Sequence, residues 1–444
     1  MKAITPKHRA VTRGAVAVAI AGALIALAGC SGTTSASGDA SGKVSGTLNV
    51  LVPSAAGSDA GFKAVNAAFQ KKYPAAKIVF TTVPTNNWAS VESSRLSAGN
   101  VDVLVASPIA TPSYVPAGSE SFDSKAADAG TFIDLSNQSF MKNWTPTVID
   151  ALKYKGKDYS VPTGLSYYTG VFYNKDLFAK HGLQVPTTWS EFTALADKLK
   201  AAGVTPLGIG GKDSWPAGLT MLAAVQGAYP SQSDKADLAE QLWKQKAKLT
   251  DPKLVDVLNK VDTMYGYAEQ NFAGVAYSDV PSLFANGSVA MTPDGTWNQT
   301  TIDAAVAGKF SYGYFPIPTS DNAADNATLG GKVEIRLSAT TASKNKTAAL
   351  AYLDFFSQPE NYKLFIADAG FAPAQSGIAS NAFLDSIKDY TKSFSLAWDN
   401  IWTANANAGP AAKFPFNYVG VAPLGTDTPQ KAAEAAQKDW SAAF

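Results

Sequence analysis

The sequence predicts an α/β fold, because short apolar runs alternate with segments whose apolar residues recur at helical spacing. Thr47 to Pro53 is a short apolar run, residues 62–69 carry apolar side chains at helical spacing, and Lys77 to Val83 alternates as a strand. This β-α-β order predicts mainly parallel strand pairing. A chain of 444 residues, 46% of them hydrophobic, is long enough for two or three domains with a large core.

The same alternation continues along the chain. Val101 to Ala106 is a third strand candidate. Thr188 and Glu191 have the spacing of a capping box, which predicts a helix with one apolar face. The remaining predicted elements are a strand at 205–209, a helix that opens at Asp251-Pro252, and a strand at 288–292.

The first 29 residues have the character of a secretory signal. Basic residues at 2–13 precede an apolar stretch from Ala15 to Ala28, which is too short to span a bilayer as an ordinary helix. The segment from Leu27 to Cys30 resembles the bacterial lipobox, in which a diacylglycerol is attached to the cysteine sulfur; the alternative is a plain signal-peptidase site. We expect residues 1–29 to be a lipoprotein signal peptide, Cys30 to carry the membrane anchor, and residues 30–45, rich in Ser, Gly, Thr and Ala, to be a flexible tether.

Charge and composition exclude several functions. Lys and Arg number 37 against 36 Asp and Glu, so no positive field favours nucleic acid. Cys30 is the only cysteine, and acylation of it leaves no thiol for a disulfide, a metal or catalysis. His181 is the only histidine beyond the signal segment, and it lies at a predicted helix C-terminus, where a cationic side chain is favoured. No metal and no cofactor are therefore predicted.

Motifs for nucleotide binding or catalysis are mostly missing. Gly208 to Asp213 follows a predicted strand but lacks both the P-loop spacing and the G-x-G-x-x-G pattern. Asp213, Asp294 and Glu334 could supply the carboxylate pair of a glycosidase, yet the same side chains bind sugar hydroxyls without chemistry. We therefore prefer binding and predict that the protein is not an enzyme; the alternative from another class is a lipid-anchored secreted glycosidase.

Three stretches carry a family resemblance: GKDYSVP at 156–162, YNKDLF at 173–178 and PTTWSEF at 186–192. They are similar to the pattern of the family 1 extracellular solute-binding proteins of bacterial ABC importers. The likeness continues through FANGSVAM at 284–291 and GTW at 295–297, and it extends from residue 46 to about residue 375. It is weaker in the last 70 residues and at 333–338, where the family has a more apolar run.

That resemblance implies a two-lobe, periplasmic-binding-protein-like fold with a hinge and an inter-lobe ligand cleft. Lobe one would comprise residues 46–160 and 333–372, and lobe two residues 161–332 and 373–444. It also implies the function of an extracellular substrate-binding component, which closes around its ligand and delivers it to the permease subunits of an ABC transporter. The protein would act as a monomer on the outer face of the cytoplasmic membrane, or in the periplasm if an outer membrane is present.

Aromatic residues after predicted strands favour a carbohydrate ligand. Trp215 and Trp297 each follow a predicted strand, where an indole face suits the CH face of a pyranose, and both resemble family positions that stack on sugar rings. Tyr167 and Tyr168 lie on the first predicted crossover, so one can face the cleft while its neighbour packs away. The other predicted ligand-binding residues are Asp213, Asp294, Asn87, Trp88, Ser54, Ser107, Glu334, Trp398 and Trp402, with core packing as the alternative for Trp88, Trp398 and Trp402.

The scarcity of arginine argues against an anionic ligand. Only Arg95 and Arg336 remain beyond the signal segment, whereas anion receptors commonly use bidentate Arg clamps. A neutral sugar, by preference an oligosaccharide, is the predicted ligand. A polyol or a sugar phosphate is the alternative among binding proteins.

Overall fold

The computed structural model describes residues 43–444. The predicted signal peptide, the predicted lipidation site Cys30 and most of the predicted tether lie outside the described residues. Among the described helices, none is both long enough and apolar enough to cross a bilayer.

Within residues 43–444, twelve strands form three sheets. They are β1 (Gly46–Pro53), β2 (Ala76–Val83), β3 (Val103–Val105), β4 (Val161–Pro162), β5 (Leu165–Tyr167), β6 (Gly170–Asn174), β7 (Thr205–Leu207), β8 (Val289–Pro293), β9 (Tyr312–Pro316), β10 (Gly330–Val333), β11 (Arg336–Ala339) and β12 (Ser395–Leu396). The first sheet has the order β2-β1-β3-β11-β4, the second β7-β8-β6-β9, and the small third sheet β12-β10-β5. The predicted α/β class is confirmed.

Helices cover the sheets. They are α1 (Ala56–Lys72), α2 (Trp88–Ser97), α3 (Phe122–Asp128), α4 (Pro146–Leu152), α5 (Lys175–Lys180), α6 (Trp189–Ala201), α7 (Gly218–Ala228), α8 (Gln232–Trp243), α9 (Pro252–Gly266), α10 (Val280–Ala285), α11 (Gln299–Val306), α12 (Lys346–Ser357), α13 (Pro359–Ala369), α14 (Ala382–Ser386) and α15 (Pro429–Ser441). The predicted capping box of Thr188 and Glu191 opens α6, and Asp251 is the N-cap residue of α9. His181 caps the C-terminus of α5.

The expectation of mainly parallel pairing is wrong. β1 runs parallel to β2 and β3, and β7 runs parallel to β8. However, β11 is antiparallel to both β3 and β4, and β6 is antiparallel to both β8 and β9. The reason is that strands next to a crossover enter a sheet from the opposite end, which the local β-α-β pattern does not reveal.

The three segments at the predicted lobe boundaries, near residues 160, 332 and 372, lie side by side. Gly331 in β10 pairs with Tyr167 in β5, and Leu165 exchanges two backbone hydrogen bonds of 2.8 Å with Ala372. The strands approach closely at Gly331, where an added Cβ would lie 2.3 Å from the carbonyl oxygen of Ser166. The crossover segments therefore form one connected backbone region between the first and second sheets.

The described residues bury separate hydrophobic clusters. One fills the face of the first sheet under α1, α12 and α13, and a larger one packs α6, α7, α9 and α15 against the second sheet. Val115, in the loop between β3 and α3, is buried in the larger cluster, and the predicted lobe one comprises residues 46–160 and 333–372. The lobe boundaries stay a prediction.

Candidate ligand-binding site

Trp215 and Trp297 come together at one edge of the second sheet. Because β7 and β8 are parallel neighbours, the segments that follow them emerge side by side. Trp215 opens a 3₁₀ turn after β7, and Trp297 lies in a 3₁₀ turn after β8. Their ring centroids are 6.4 Å apart at an interplanar angle of 52°, and Trp215 keeps 41% of its surface exposed. The two indoles form an accessible aromatic corner.

Tyr277 joins this corner, although no sequence pattern identifies it. Its hydroxyl accepts a hydrogen bond from Trp297 Nε1 (3.1 Å) and donates one to Asp294 Oδ1 (2.9 Å). Its ring meets Trp215 edge-on at 4.6 Å, and its backbone N–H donates to Asp213 Oδ2 (2.7 Å). Tyr277 lies in a short 3₁₀ turn before α10, a position with no motif that could have identified it.

Asp294 is buried beneath the indole pair. Besides Tyr277, its carboxylate accepts hydrogen bonds from the backbone N–H of Gly295 (2.7 Å) and from Asn298 Nδ2 (2.6 Å). Burial raises the pKa of Asp294 to about 7, against the lowering effect of these three donors. The side chain is therefore placed to organise its neighbours rather than to contact solvent.

Gly295 provides the surface on which Trp297 rests. A Cβ at this position would lie 2.3 Å from ring atoms Cε3 and Cζ3 of Trp297. No other residue type fits there without displacing the indole. The glycine in the GTW stretch thus serves a close contact between backbone and aromatic ring.

Tyr168 extends the aromatic corner. Its ring centroid is 5.3 Å from that of Trp297, and its hydroxyl donates to Asp399 Oδ1 (2.7 Å) while accepting from Asn400 Nδ2 (2.7 Å). Tyr167 points away, with its ring edge-on to Phe394 at 6.2 Å. Both tyrosines are nearly fully buried, so Tyr168 supports Trp297 from behind more than it offers a free face.

A lysine and a glutamate flank the same corner. Lys332 Nζ lies 4.8 Å from the ring centroid of Trp297 and 5.7 Å from that of Tyr168. It forms an ion pair with Glu334 at 3.3 Å, and Glu334 also accepts a hydrogen bond from the hydroxyl of Ser166. The positive charge next to the indole is thereby compensated.

The predicted residues of the first sheet share a different edge. Ser54 follows β1, Asn87 and Trp88 follow β2, and Ser107 follows β3. Ser54 donates to Asp59 Oδ2 (2.7 Å), and the backbone N–H of Ser107 donates to Asp123 Oδ2 (2.5 Å). Asn87 is exposed, whereas Trp88 is half-buried against the clusters on both faces of the sheet.

A buried charged group at this edge was not foreseen. Arg336 is 8% exposed, and its Nε has no hydrogen-bond partner among the described residues. Asp123 and Glu334 are the acidic groups that act on it, and burial lowers its pKa to about 10. Glu92 in α2 is 4% exposed, and burial together with Asp123 raises its pKa to about 9. Glu92 is therefore protonated at neutral pH.

Replacing Glu92 by glutamine should flatten the pH dependence of stability. Between pH 4.5 and about 9 the folded state keeps the Glu92 proton and the unfolded state releases it, so stability falls as pH rises through this window. A difference of one bound proton between the folded and unfolded states changes the free energy of unfolding by about 1.4 kcal/mol per pH unit. Melting temperatures are measured at pH 5 and pH 8. Relative to the wild type, Glu92→Gln should have a higher melting temperature at pH 8 than at pH 5, and the exposed Glu360→Gln serves as the control. If the melting temperatures of Glu92→Gln and the wild type differ by the same amount at both pH values, Glu92 is not protonated in the folded state.

Trp398 and Trp402 lie in the core. They are 1% and 7% exposed and stack on each other with centroids 5.5 Å apart at 20°. Trp402 also packs on Trp440 at 5.1 Å, and its Nε1 donates to the carbonyl of Lys413 (2.9 Å). This burial favours the packing alternative for both residues.

The carboxylates considered for hydrolysis are each engaged by the protein. Asp294 is enclosed by its three donors, Asp213 binds the backbone of Tyr277, and Glu334 binds Lys332 and Ser166. An acid and a base for glycoside hydrolysis must instead face the scissile bond from opposite sides. The arrangement of Asp294 and Glu334 suits structural support.

Known proteins resemble this chain in sequence. A multiple sugar-binding protein of Streptococcus mutans is 24% identical over 327 residues, which is 72% of this chain and 73% of that protein. A probable sugar-binding periplasmic protein of Mesorhizobium japonicum is 30% identical over 185 residues, or 40% of this chain and 43% of that protein.

Solved structures share the fold. The solute-binding protein RafE in complex with raffinose has a TM-score of 0.73 at 24% identity, covering 89% of this chain and 99% of that one. A chitin oligosaccharide binding protein has a TM-score of 0.72 at 22% identity, covering 90% and 99%. The periplasmic-binding-protein-like fold is thereby confirmed. The bacterial extracellular solute-binding protein family matches residues 53–363, most of the described chain, and the protein belongs to that family.

Proposed function

We propose that the protein binds a neutral sugar, by preference an oligosaccharide, in the cleft between its lobes and delivers it to the permease of an ABC importer. The observation that carries the proposal is the corner of Trp215 and Trp297, whose indole faces suit the CH faces of sugar rings. The relatives named for sugar binding support the same ligand class.

The charges around the indoles fit a neutral ligand. Lys332 is paired with Glu334, and the negative charges of Asp123 and Glu334 act on the buried Arg336 and oppose the lowering of its pKa by burial. A phosphate would need uncompensated basic groups or bidentate arginine contacts. The compensated charges therefore disfavour a sugar phosphate. A polyol is disfavoured because it lacks the ring faces on which two indoles can stack.

The ligand class can be tested by native mass spectrometry. The mature protein is incubated with a mixture of raffinose, stachyose, chitin oligosaccharides and common polyols. We expect one intact oligosaccharide to stay bound. Shortened products would identify a glycosidase, a bound polyol alone would favour that alternative, and the absence of any adduct would contradict the proposal.

Ligand-driven closure belongs to the same proposal. The connected crossover segments at Leu165, Gly331 and Ala372 give the lobes a common hinge region. A ligand shifts the equilibrium only if it binds the closed state more tightly. Small-angle scattering should give a smaller radius of gyration at saturating sugar.

The proposal places the protein at the outer surface of the cytoplasmic membrane through a lipid on Cys30. The Leu27–Cys30 segment and the lone cysteine support this placement. We expect Cys30→Ser to release the protein into the soluble fraction, because a lipid chain supplies about 0.8 kcal/mol of membrane affinity per buried CH₂. Immunoblots of the membrane and soluble fractions measure the distribution of the protein, with Ser31→Ala as control. If Cys30→Ser still sediments with membranes, the lipid anchor on Cys30 is refuted.

A further inference from the structure

Tyr277 is linked to four residues of the candidate site. It contacts Trp215 through its ring, Trp297 and Asp294 through its hydroxyl, and Asp213 through its backbone N–H. Neither the sequence pattern nor the family resemblance assigned it a role. A residue that joins both indoles to both carboxylates can set how the whole corner is arranged.

The direction of the hydrogen bonds is fixed by their chemistry. An indole N–H only donates, so Tyr277 Oη must accept from Trp297 Nε1 at 3.1 Å. The hydroxyl has one proton of its own, which it donates to Asp294 Oδ1 at 2.9 Å when that carboxyl group is ionised. Since Asp294 is held in turn by Gly295 and Asn298, the rotation of the Trp297 indole is tied to a buried, rigid group.

Tyr277 is itself held in place by the loop that follows β7. Its N–H donates to Asp213, and its backbone lies so close to Gly210 that a Cβ on the glycine would approach Tyr277 Cα to 2.7 Å. The loop after β7 therefore fixes the tyrosine, and the tyrosine fixes the indole after β8. Preorganisation of this kind lowers the ordering cost of binding.

We propose that Tyr277 is the positioning residue of the ligand site, which holds the indoles of Trp215 and Trp297 at their mutual angle before the sugar arrives. The inference rests on the proposed function for the identity of the ligand, but the placement of Trp297 can be measured without one. Simple core packing is the competing explanation.

The first measurement uses no ligand. Trp indole N–H signals are recorded by ¹⁵N-¹H NMR in the wild type, in Tyr277→Phe and in the control Tyr352→Phe, with Trp297→Phe identifying the Trp297 signal. Tyr352 is fully buried whereas Tyr277 is half-buried, and the Tyr352 hydroxyl donates to Asn66 Oδ1 (2.7 Å), which is remote in sequence from the site. In Tyr277→Phe we expect the Trp297 signal to shift and its exchange with water to speed up about fivefold, the equivalent of about 1 kcal/mol. An unchanged Trp297 signal overturns the proposal.

The second measurement is calorimetric titration with raffinose. Affinity should fall about fivefold in Tyr277→Phe and stay unchanged in Tyr352→Phe, although both variants lose a side-chain hydrogen bond of a tyrosine hydroxyl. A shifted indole signal with unchanged raffinose affinity would overturn the positioning role. A wild type that does not bind raffinose would count against this choice of sugar, while the indole signals would still decide whether Tyr277 holds Trp297.

Asp294→Asn gives a second route if Tyr277→Phe does not fold. The amide keeps the size of the side chain but weakens the acceptor for the Tyr277 hydroxyl. The same shift of the Trp297 signal is expected, and its absence would count against the hydrogen-bonded link.

Discussion

Replacing Trp297 by alanine is expected to weaken sugar binding more than tenfold. An aromatic contact is worth about 0.5–1.5 kcal/mol beyond the area it buries, and burial of the sugar's CH face adds about 25 cal/mol per Å². A total of about 2 kcal/mol exceeds a factor of ten in affinity. Calorimetric titration with the sugar found by mass spectrometry measures the loss of affinity. Trp215→Ala should also weaken binding, because Trp215 is the more exposed of the two indoles.

Trp189→Ala is the matched control for this prediction. Trp189 opens α6 and stacks on Phe192 at 5.8 Å, so its loss should affect stability and not affinity. If Trp215→Ala and Trp297→Ala both bind like the wild type, the aromatic corner is not the ligand site. The edge of the first sheet at which Trp88 and Ser107 follow β2 and β3 would then be the next candidate for the ligand site.

Replacing Trp398 by alanine should destabilise the fold by about 3–5 kcal/mol, as large aromatic deletions in cores do. Trp398 is almost fully buried between Trp402 and Phe416, and the cavity left by its removal cannot be filled by these neighbours without moving them. The melting temperature should drop by several degrees. The sugar affinity of the folded fraction should stay close to that of the wild type.

Thermal unfolding and titration together separate the two roles of Trp398. The milder Trp398→Phe keeps part of the ring and should lose less stability, which gives a graded series. A Trp398→Ala protein with normal melting but weakened binding would place this residue in the cleft after all, as the sequence analysis allowed.

The positions of Trp215 and Trp297, each after a strand, could be predicted because they depend on local order. Each tryptophan follows a strand, and consecutive parallel strands end at the same sheet edge. The alternation of Tyr167 and Tyr168 follows equally from the period of an extended chain, which turns neighbouring side chains to opposite sides. The strand ends and the alternation are set within a few residues, whereas the pairing of β7 with β8 joins Thr205 to Val289 and is seen only in the structure.

The rest of the site depends on contacts between distant segments. Tyr277 reaches Trp297 through a short turn that carries no pattern, and Glu92, Asp123 and Arg336 meet only because β11 returns beside β3. That return also makes the pairing antiparallel, which the local helix-strand order could not reveal. Only the packed structure exposes such relations.

The direction of β1 determines at which end of the first sheet the chain enters the fold. The chain enters the fold at Gly46, whose N–H bonds to Ala75, and it leaves β1 eight residues later, about 26 Å away, at Ser54. Beyond Ser54, Gly57 lies against Thr300 in α11, the helix that follows Trp297. Gly46 therefore lies at the end of the first sheet opposite the one that carries Ser54, Asn87 and Ser107, three of the residues predicted to bind ligand.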